Sequence, residues 1–357
     1  MARWSGIGRC TTGLASALAH RSDIAPVLAC HRADAGLLGD DVNAEVFSAE
    51  HAPFSLAGMR ELGSIARSAG VDVTHCLHFP TPLPTPHPLV VTVHDLIPLV
   101  VEGVMPSTPR RALYRAVVGR AVRVADALIA DSAHTASDLA RVFPTHGSGS
   151  TVVPLGVDDF AGGEVPPLPS AYADAPFIFA IGSTRPHKGL PVLLHAFAMI
   201  ATAAPALRLV LAGVEPPGYL DELLPGLADH VRARISFTGP VDDPALRALY
   251  ANARFFVSPS LYEGFGLPPL EAMAFGTPVI STSAASLPEV VGDAAMLVPA
   301  GDVEALASAM HGLLSGGDAL LLRLAEAGRA RAAVMTWERT AEETVAVYRR
   351  VLEGVVR

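Results

Sequence analysis

Lysine is nearly missing from this chain of 357 residues: Lys188 stands alone beside 25 arginines. Where arginine serves everywhere else, one retained lysine points to a need for a compact ammonium rather than a planar guanidinium fork. Cysteine is scarce as well. Cys10, Cys30 and Cys76 make neither an even disulfide framework nor a CxxC metal pair, which fits a reducing cytosol. Positive charge is in deficit, with 26 basic residues against 35 acids and a formal charge of −9. The deficit runs through both halves, so neither has the basic excess of a nucleic-acid binder. The longest uncharged stretches, Val73–His94 and Gly189–Leu207, are broken or bounded by prolines. Neither offers the ~20 uninterrupted apolar residues of a membrane-spanning helix. No secretory leader is expected, because Met1–Gly8 leads into Arg9 and polar residues. Asp-x-Asp is absent too, which removes the obvious carboxylate clamp for a divalent metal.

What is present is a globular composition, half of it hydrophobic, in which short apolar runs alternate with helical stretches. That grammar predicts α/β architecture with parallel sheets buried on both faces. Strands are expected at Ile24–Leu28, Leu89–Val93, Ala127–Ala130, Thr151–Val153, Phe177–Ile181, Arg208–Ala212, Ile235–Thr238, Phe255–Val257, Pro278–Ser281 and Ala295–Val298. The length suits two domains. Asp158–Pro176, rich in Gly, Pro, Ala and Ser, reads as the linker between a first domain of residues 1–165 and a second of residues 170–335. A last helix, residues 336–357, starts near Trp337 and is long enough to reach back to the first domain. Ligands of such sheets bind outside the carboxyl ends of the strands.

Arg254–Ser281, reading RFFVSPSLYEGFGLPPLEAMAFGTPVIS, is the most specific stretch. An apolar strand ends near Pro259, a loop carries Glu263, Gly264, Phe265 and Gly266, and a helix starts near Leu267. Pro268 and Pro269 are tolerated in a first turn whose N–H groups have no intrahelical partner, and Gly276 suits the position just past the helix end. The orphan N–H groups and the helix dipole make this start an anion site, and the glycines remove side chains that would keep a phosphate away. Glu263 and Glu271, eight residues apart, can each accept a pair of hydrogen bonds, as from the vicinal diol of a sugar or ribose. Taken singly, Glu271 also reads as compensation of the helix dipole and Glu263 as a solvated loop residue.

The run EGFGLPPLEAMAFGTPV resembles the Glu-x7-Glu signature of glycosyltransferase family 4, the retaining, nucleotide-sugar-dependent enzymes of GT-B fold. Ser5-Gly-Ile-Gly-Arg9, Val93-His-Asp-Leu-Ile-Pro-Leu99, Ala130-Asp-Ser-Ala-His-Thr135, Val153-Pro-Leu-Gly-Val-Asp158 and the Trp337 helix resemble the family in the same order, so the likeness covers nearly the whole chain. HDLIPL is similar to the mannosyltransferase-like branch. The resemblance implies two Rossmann-like domains facing across a cleft, with the last helix crossing back to the first. It implies that Glu271 holds the ribose diol, that Glu263 lies against the donor sugar, and that the backbone N–H groups of Phe265, Gly266 and Leu267 meet sugar and diphosphate. His94 would contact the transferred sugar from the opposite wall, Lys188 would neutralise the diphosphate, and the Gly6–Gly8 loop would lie near the phosphates or the acceptor. The Phe237–Asp242 loop would meet the base.

Two departures from the family pattern stand out. An arginine usually follows the glycine that precedes the lysine, whereas Gly182 is followed by Ser183 and Thr184, so Arg185 is the expected substitute with His187 second. Family members also open with a β-strand before the SGIGR-like loop, and only Met1-Ala-Arg-Trp stands here. Losing the buried side chains of a central strand, at ~1.5–3 kcal/mol each, predicts a true start upstream.

The expected activity is therefore metal-independent transfer of a hexose, mannose favoured, from a nucleotide diphosphate sugar to a glycan or lipid-linked acceptor. No cofactor beyond the donor substrate and no nucleic-acid partner is expected. The rivals are a catalytically idle nucleotide-sugar-binding subunit and a GT-B epimerase or hydrolase of nucleotide sugars. Arg110, Arg111, Arg115, Arg120 and Arg123 share a predicted helix with no acid between Glu102 and Asp126. Such a helix reads as a solvated face or as a basic surface meeting anionic lipid. The place of action expected is the cytoplasm, with peripheral contact at the inner face of the cell membrane.

Overall fold

The computed structural model describes residues 6–37, 44–105 and 107–355. The chain divides into two compact units: Met1–Gly156 together with Met335–Arg357, and Val157–Val334. Among the described residues no single helix is long and apolar enough to cross a membrane.

The first unit holds two parallel sheets, β1 (Val27–His31) with β2 (Glu45–Ala49), and a four-stranded sheet in the order β3 (Thr74–Cys76), β4 (Leu89–Val93), β5 (Ala127–Ala130), β6 (Thr151–Val152). β4 is buried at all five positions, as a central parallel strand covered on both faces must be. Its alternate side chains serve two cores. Leu89, Val91 and Val93 pack with Val118 and Ala121 of α3 (Thr108–Val124) and Leu139 of α4 (Ala133–Val142), which follow α1 (Gly6–Ala19) and α2 (Leu56–Ala69) in the chain. Val90 packs on the other face with Ile129, Val153 and Val347.

The second unit is one parallel sheet in the order β12 (Met296–Val298), β11 (Val279–Thr282), β10 (Phe255–Ser258), β7 (Phe177–Ile181), β8 (Arg208–Ala212), β9 (Ile235–Phe237). The chain runs outward from β7 through β8 to β9, then returns to the other side of β7 as β10. The order therefore reverses between β7 and β10, and the loops after these two strands bound the crevice where ligands bind in such sheets. Its longer helices are α5 (Leu190–Ile200), α6 (Asp243–Asn252), α7 (Leu267–Ala274), α8 (Val303–Ser315) and α9 (Gly317–Ala333).

The last helix, α10 (Trp337–Val355), belongs to the first unit. Tyr348 Oη lies 2.7 Å from His75 Nδ1, whose Nε2 is 2.8 Å from Thr92 Oγ1, so helix, β3 and β4 share one half-buried polar chain. Thr340 donates to the Pro154 carbonyl at 2.8 Å. Gly13 of α1 and Gly156 leave the room that Trp337 occupies, and a Cβ on Gly156 would run into the Trp337 backbone.

Several sequence expectations shift. The expected Ile24–Leu28 strand lies at Val27–His31, and Glu45–Ala49 and Thr74–Cys76 were not foreseen. β2 is largely exposed, and β3 has three residues centred on a hydrogen-bonded histidine, so neither presents an apolar run. The units divide at Gly156 rather than at residue 165, and the Pro- and Gly-rich stretch joins the second unit. Phe160 stands edge-on to Tyr250 and Phe275, and Arg247 donates to the carbonyls of Gly162 and Glu164. The expected absence of a first strand falls on residues 1–5, outside the described residues.

Candidate functional site

β10 ends at Ser258 beside β7, and the two loops that follow them are stitched together. Leu261 N donates to the His187 carbonyl at 2.7 Å. Gly189 takes φ +62°, and any Cβ there would collide with the Pro259 carbonyl, so glycine alone lets the loops approach. Ser286 Oγ reaches the carbonyls of Glu263 (3.0 Å) and Phe265 (2.7 Å), and Thr282 Oγ1 donates to the Ser260 carbonyl. The segment Ser260–Phe265 is thereby fixed by hydroxyls on the neighbouring β11 side. Gly266 takes φ +108° at the start of α7, Pro268 and Pro269 occupy the first turn, and Gly276 closes the helix at φ +73° with its N–H on the Met273 carbonyl.

These loops bring Lys188 and Glu263 together. Lys188 Nζ lies 2.7 and 2.9 Å from the two carboxylate oxygens of Glu263, and Ser260 Oγ donates to Glu263 Oε1 at 2.7 Å. The Glu263 side chain keeps 11% exposure and that of Lys188 25%, so the lysine is the more open partner of the pair. His187 is buried at 4% with no hydrogen-bond partner for Nδ1 among the described residues, and burial, then the Lys188 charge, lower its pKa below the ordinary histidine value. Arg185 is exposed in the same loop. Glu271, five residues into α7, is buried at 5% and accepts a 2.8 Å hydrogen bond on Oε2 from the Tyr250 hydroxyl. Asp242, at the end of the Phe237–Asp242 loop, caps α6 by accepting from Ala245 N at 2.8 Å.

In the first unit, His94 follows β4 and Asp131 follows β5, at the ends of paired parallel strands. Their side chains meet at 2.6 Å through His94 Nδ1 and Asp131 Oδ2, and His94 Nε2 lies 2.8 Å from the Leu77 carbonyl. Burial favours a neutral ring, but the charge and hydrogen bond of Asp131 and the Leu77 carbonyl outweigh it and raise the His94 pKa. Both partners are acceptors, so the ring is held as a double donor and has no lone pair to act as a base. Contact with a sugar through Nε2 would require release of the Leu77 carbonyl. Gly6 and Gly8 correct a sequence expectation: they are not a loop but the first turn of α1, where a glycine is readily accommodated. Sequence reasoning missed Asp131, Ser260, Ser286 and Tyr250 as partners of the site. Asp131 stood inside a quoted segment, but its pairing 37 residues away leaves no local signal.

The arginine helix is α3. Arg111 donates to the Leu99 carbonyl at 2.5 Å, Arg115 to that of Val142 at 3.1 Å, and Arg120 to Thr81, Pro82 and Thr85. Three of the five therefore stitch the first unit together through main-chain oxygens. Leu113 is 66% exposed on the same helix, and Arg115, Arg120, Arg123, Phe143 and His146 line a groove of about 650 Å³.

Residues 4–159 match a family described as Glycosyltransferase Family 4, and residues 175–316 match one described as Glycosyl transferases group 1. The chain is 36% identical over 283 residues to the MMP alpha-(1->4)-mannosyltransferase of Mycolicibacterium hassiacum, covering 75% of this chain and 66% of that one. It spans less than two thirds of the length of the curated relatives it matches. Among solved structures, a glycosyltransferase from Rickettsia africae superposes with a TM-score of 0.72 at 16% identity, covering 98% of this chain and 96% of that one. Anabaena HepE, solved with UDP, gives 0.70 at 20% identity, covering 96% of each chain. The fold is GT-B, built of two Rossmann-like units with the last helix returned to the first.

Proposed function

The chain belongs to the glycosyltransferases of group 1 and family 4, and on that premise we propose that it transfers a hexose, mannose in preference, from a nucleotide diphosphate sugar to an acceptor hydroxyl in polysaccharide or glycoconjugate assembly. The observation that carries this reading is the meeting of Lys188, Glu263 and Ser260 at the point where the strand order reverses, in the loop that leads into the helix carrying the buried Glu271. A nucleoside diphosphate leaves without a protonating acid, so the site has to stabilise developing negative charge. Lys188, Arg185 and the N–H groups of Phe265, Gly266 and Leu267 at the start of α7 supply that stabilisation. Glu271 takes the ribose diol, and Glu263 takes sugar hydroxyls once the diphosphate competes for Lys188. Charge stabilisation by these groups leaves no step that needs a metal ion. The names of relatives support mannose as the sugar: one is a mannosyltransferase over three quarters of this chain, and the serotype-specific WbdA of Escherichia coli, 32% identical, is another. Anabaena HepE, solved in complex with UDP, supports a nucleoside diphosphate as the group held here.

Radiolabelled sugar transfer from GDP-mannose, UDP-glucose and ADP-glucose to glycan and lipid-linked acceptors tests the reading. Transfer from one donor, unchanged by EDTA and lost in Lys188→Ala, is expected. Turnover without an acceptor would favour the epimerase or hydrolase, and donor binding without turnover the idle subunit, a reading that the fully engaged ring of His94 keeps in view. The acceptor side carries a second reading, peripheral contact with anionic lipid at the cytoplasmic face. Arg110 and Arg123 are exposed on α3 beside Leu113, and no carboxylate pairs with this stripe among the described residues. Flotation with anionic but not zwitterionic vesicles, reduced by Arg110→Glu with Arg123→Glu, is the expected result; equal behaviour with both vesicles would assign the stripe to solvent.

A further inference from the structure

We propose that Tyr250 is a positioning residue for nucleotide recognition, its hydroxyl setting the orientation of the Glu271 carboxylate toward the ribose. The proposal rests on the reading of Glu271 as the ribose-binding carboxylate and extends it to a residue on a different helix.

Tyr250 lies on α6, is fully buried, and carries a polar atom into an aromatic nest. Its ring stacks parallel to Phe275 at 6.0 Å and stands against Phe179 at 5.1 Å, Phe256 at 5.4 Å and Phe160 at 6.0 Å. Thr277 Oγ1 holds its carbonyl at 2.6 Å. Neither ring nor backbone is free to move, so the hydroxyl is a fixed donor. A phenylalanine would fill this nest with no hydroxyl to desolvate, and a buried phenol is tolerated where its O–H finds a partner. That partner is Glu271 Oε2 at 2.8 Å.

The consequence lies in the side chain it holds. A glutamate has three rotatable bonds, and ordering them when a ligand arrives subtracts from affinity. With Oε2 anchored by a donor that cannot shift, the plane of the carboxylate is set before the nucleotide binds. A neutral phenol donating to a carboxylate is also a charge-assisted bond, stronger than a neutral pair. The pairing spans 21 residues and two helices, and it couples the aromatic core of the second unit to the donor site.

The test measures dissociation constants of GDP, UDP, dGDP and dUDP for the full chain, its Tyr250→Phe variant and its Glu271→Asp variant, whose shorter side chain falls away from the hydroxyl. The wild type is expected to prefer its ribonucleotide over the 2′-deoxy form by about tenfold, the weight of one charge-assisted hydrogen bond. Tyr250→Phe is expected to erase most of that preference, weakening the ribonucleotide about tenfold and the deoxynucleotide less than about twofold. Glu271→Asp should lose the preference in the same way, and adding Tyr250→Phe to it should change nothing further. A Tyr250→Phe variant that weakens both nucleotides equally, or keeps the wild-type preference, overturns the proposal, as does a Glu271→Asp variant that keeps it. A wild type with no preference overturns instead the reading of Glu271 on which the proposal rests. Circular dichroism on each variant separates loss of recognition from loss of folding.

Discussion

The two units use the same strand-then-helix plan but spend their buried polar groups differently. In the second unit Lys188, Glu263 and Glu271 gather on loops and a helix start that border the crevice, and the hydroxyls behind them, Ser260 and Tyr250, orient them from the protein side. In the first, histidines are turned inward: half-buried His75 bridges Thr92 and Tyr348, and buried His94 bridges Asp131 and the Leu77 carbonyl. The first arrangement leaves charge to be engaged by a ligand, and the second uses hydrogen bonds to hold elements together. Two units of one plan thus place their polar side chains differently, at the crevice-side loops in the second and between packed elements in the first.

Substitutions should separate the two roles. Lys188→Ala is expected to have the largest effect, lowering kcat roughly hundredfold, as loss of one preorganised charge-stabilising donor does, while leaving the unfolding midpoint of the first unit in place. Lys188→Arg should recover little of this, because a planar fork does not replace a compact ammonium seated on Glu263; full recovery would show that any cation suffices. Glu271→Ala is expected to weaken nucleotide diphosphate binding by roughly thirtyfold to a thousandfold, since losing the ribose hydrogen bonds to a charged carboxylate costs about 2–4 kcal/mol. Calorimetric titration checks this, and a loss below threefold would place recognition elsewhere.

The opposite signature is expected in the first unit. Gly156→Ala would press a methyl group into the Trp337 backbone and should cost about 1–3 kcal/mol, as overpacking does. Denaturant unfolding followed by tryptophan fluorescence reads it, because Trp337 is buried in this unit. Acid should act on the same unit. Burial first, then the charge of His94, lowers the pKa of both His75 and His78 from 6.5 to about 3. Their contribution to stability is complete above pH 6.5 and is lost as pH falls from there toward 3. His94, with its raised pKa, contributes in the reverse sense: its share is complete below 6.5 and is lost as pH rises through the raised value. The fluorescence midpoint should therefore fall on acidification, and His75→Gln should flatten that fall modestly. A midpoint independent of pH between 4 and 7 would contradict the lowered pKa of these two histidines.

What the sequence disclosed follows from distance along the chain. The strand, loop and helix from Phe255 to Gly276 are contiguous, and their proline and glycine positions have fixed backbone meanings, so the start of α7 and its closing glycine were legible. Lys188 stood out by composition, although nothing local announced that Glu263, 75 residues away, would hold it. The pairs His94 with Asp131 and Tyr250 with Glu271 are made by neighbouring strands and neighbouring helices, and packing alone creates them. Gly6 and Gly8 misled for a related reason: glycines suggest a loop, yet a helix tolerates them in its first turn. β2 and β3 escaped notice because an exposed strand and a three-residue strand need no apolar run.

The central claim is that the second unit is built to hold a nucleoside diphosphate against Lys188 and Glu271. A thermal-shift comparison of GDP, UDP and ADP on the wild type and on Glu271→Ala tests it most directly. A ligand at 100 times its dissociation constant adds ~2.7 kcal/mol to the folded state, so one nucleotide should raise the wild-type Tm and leave Glu271→Ala nearly unmoved. No shift with any of the three, or an equal shift in both proteins, would contradict the account.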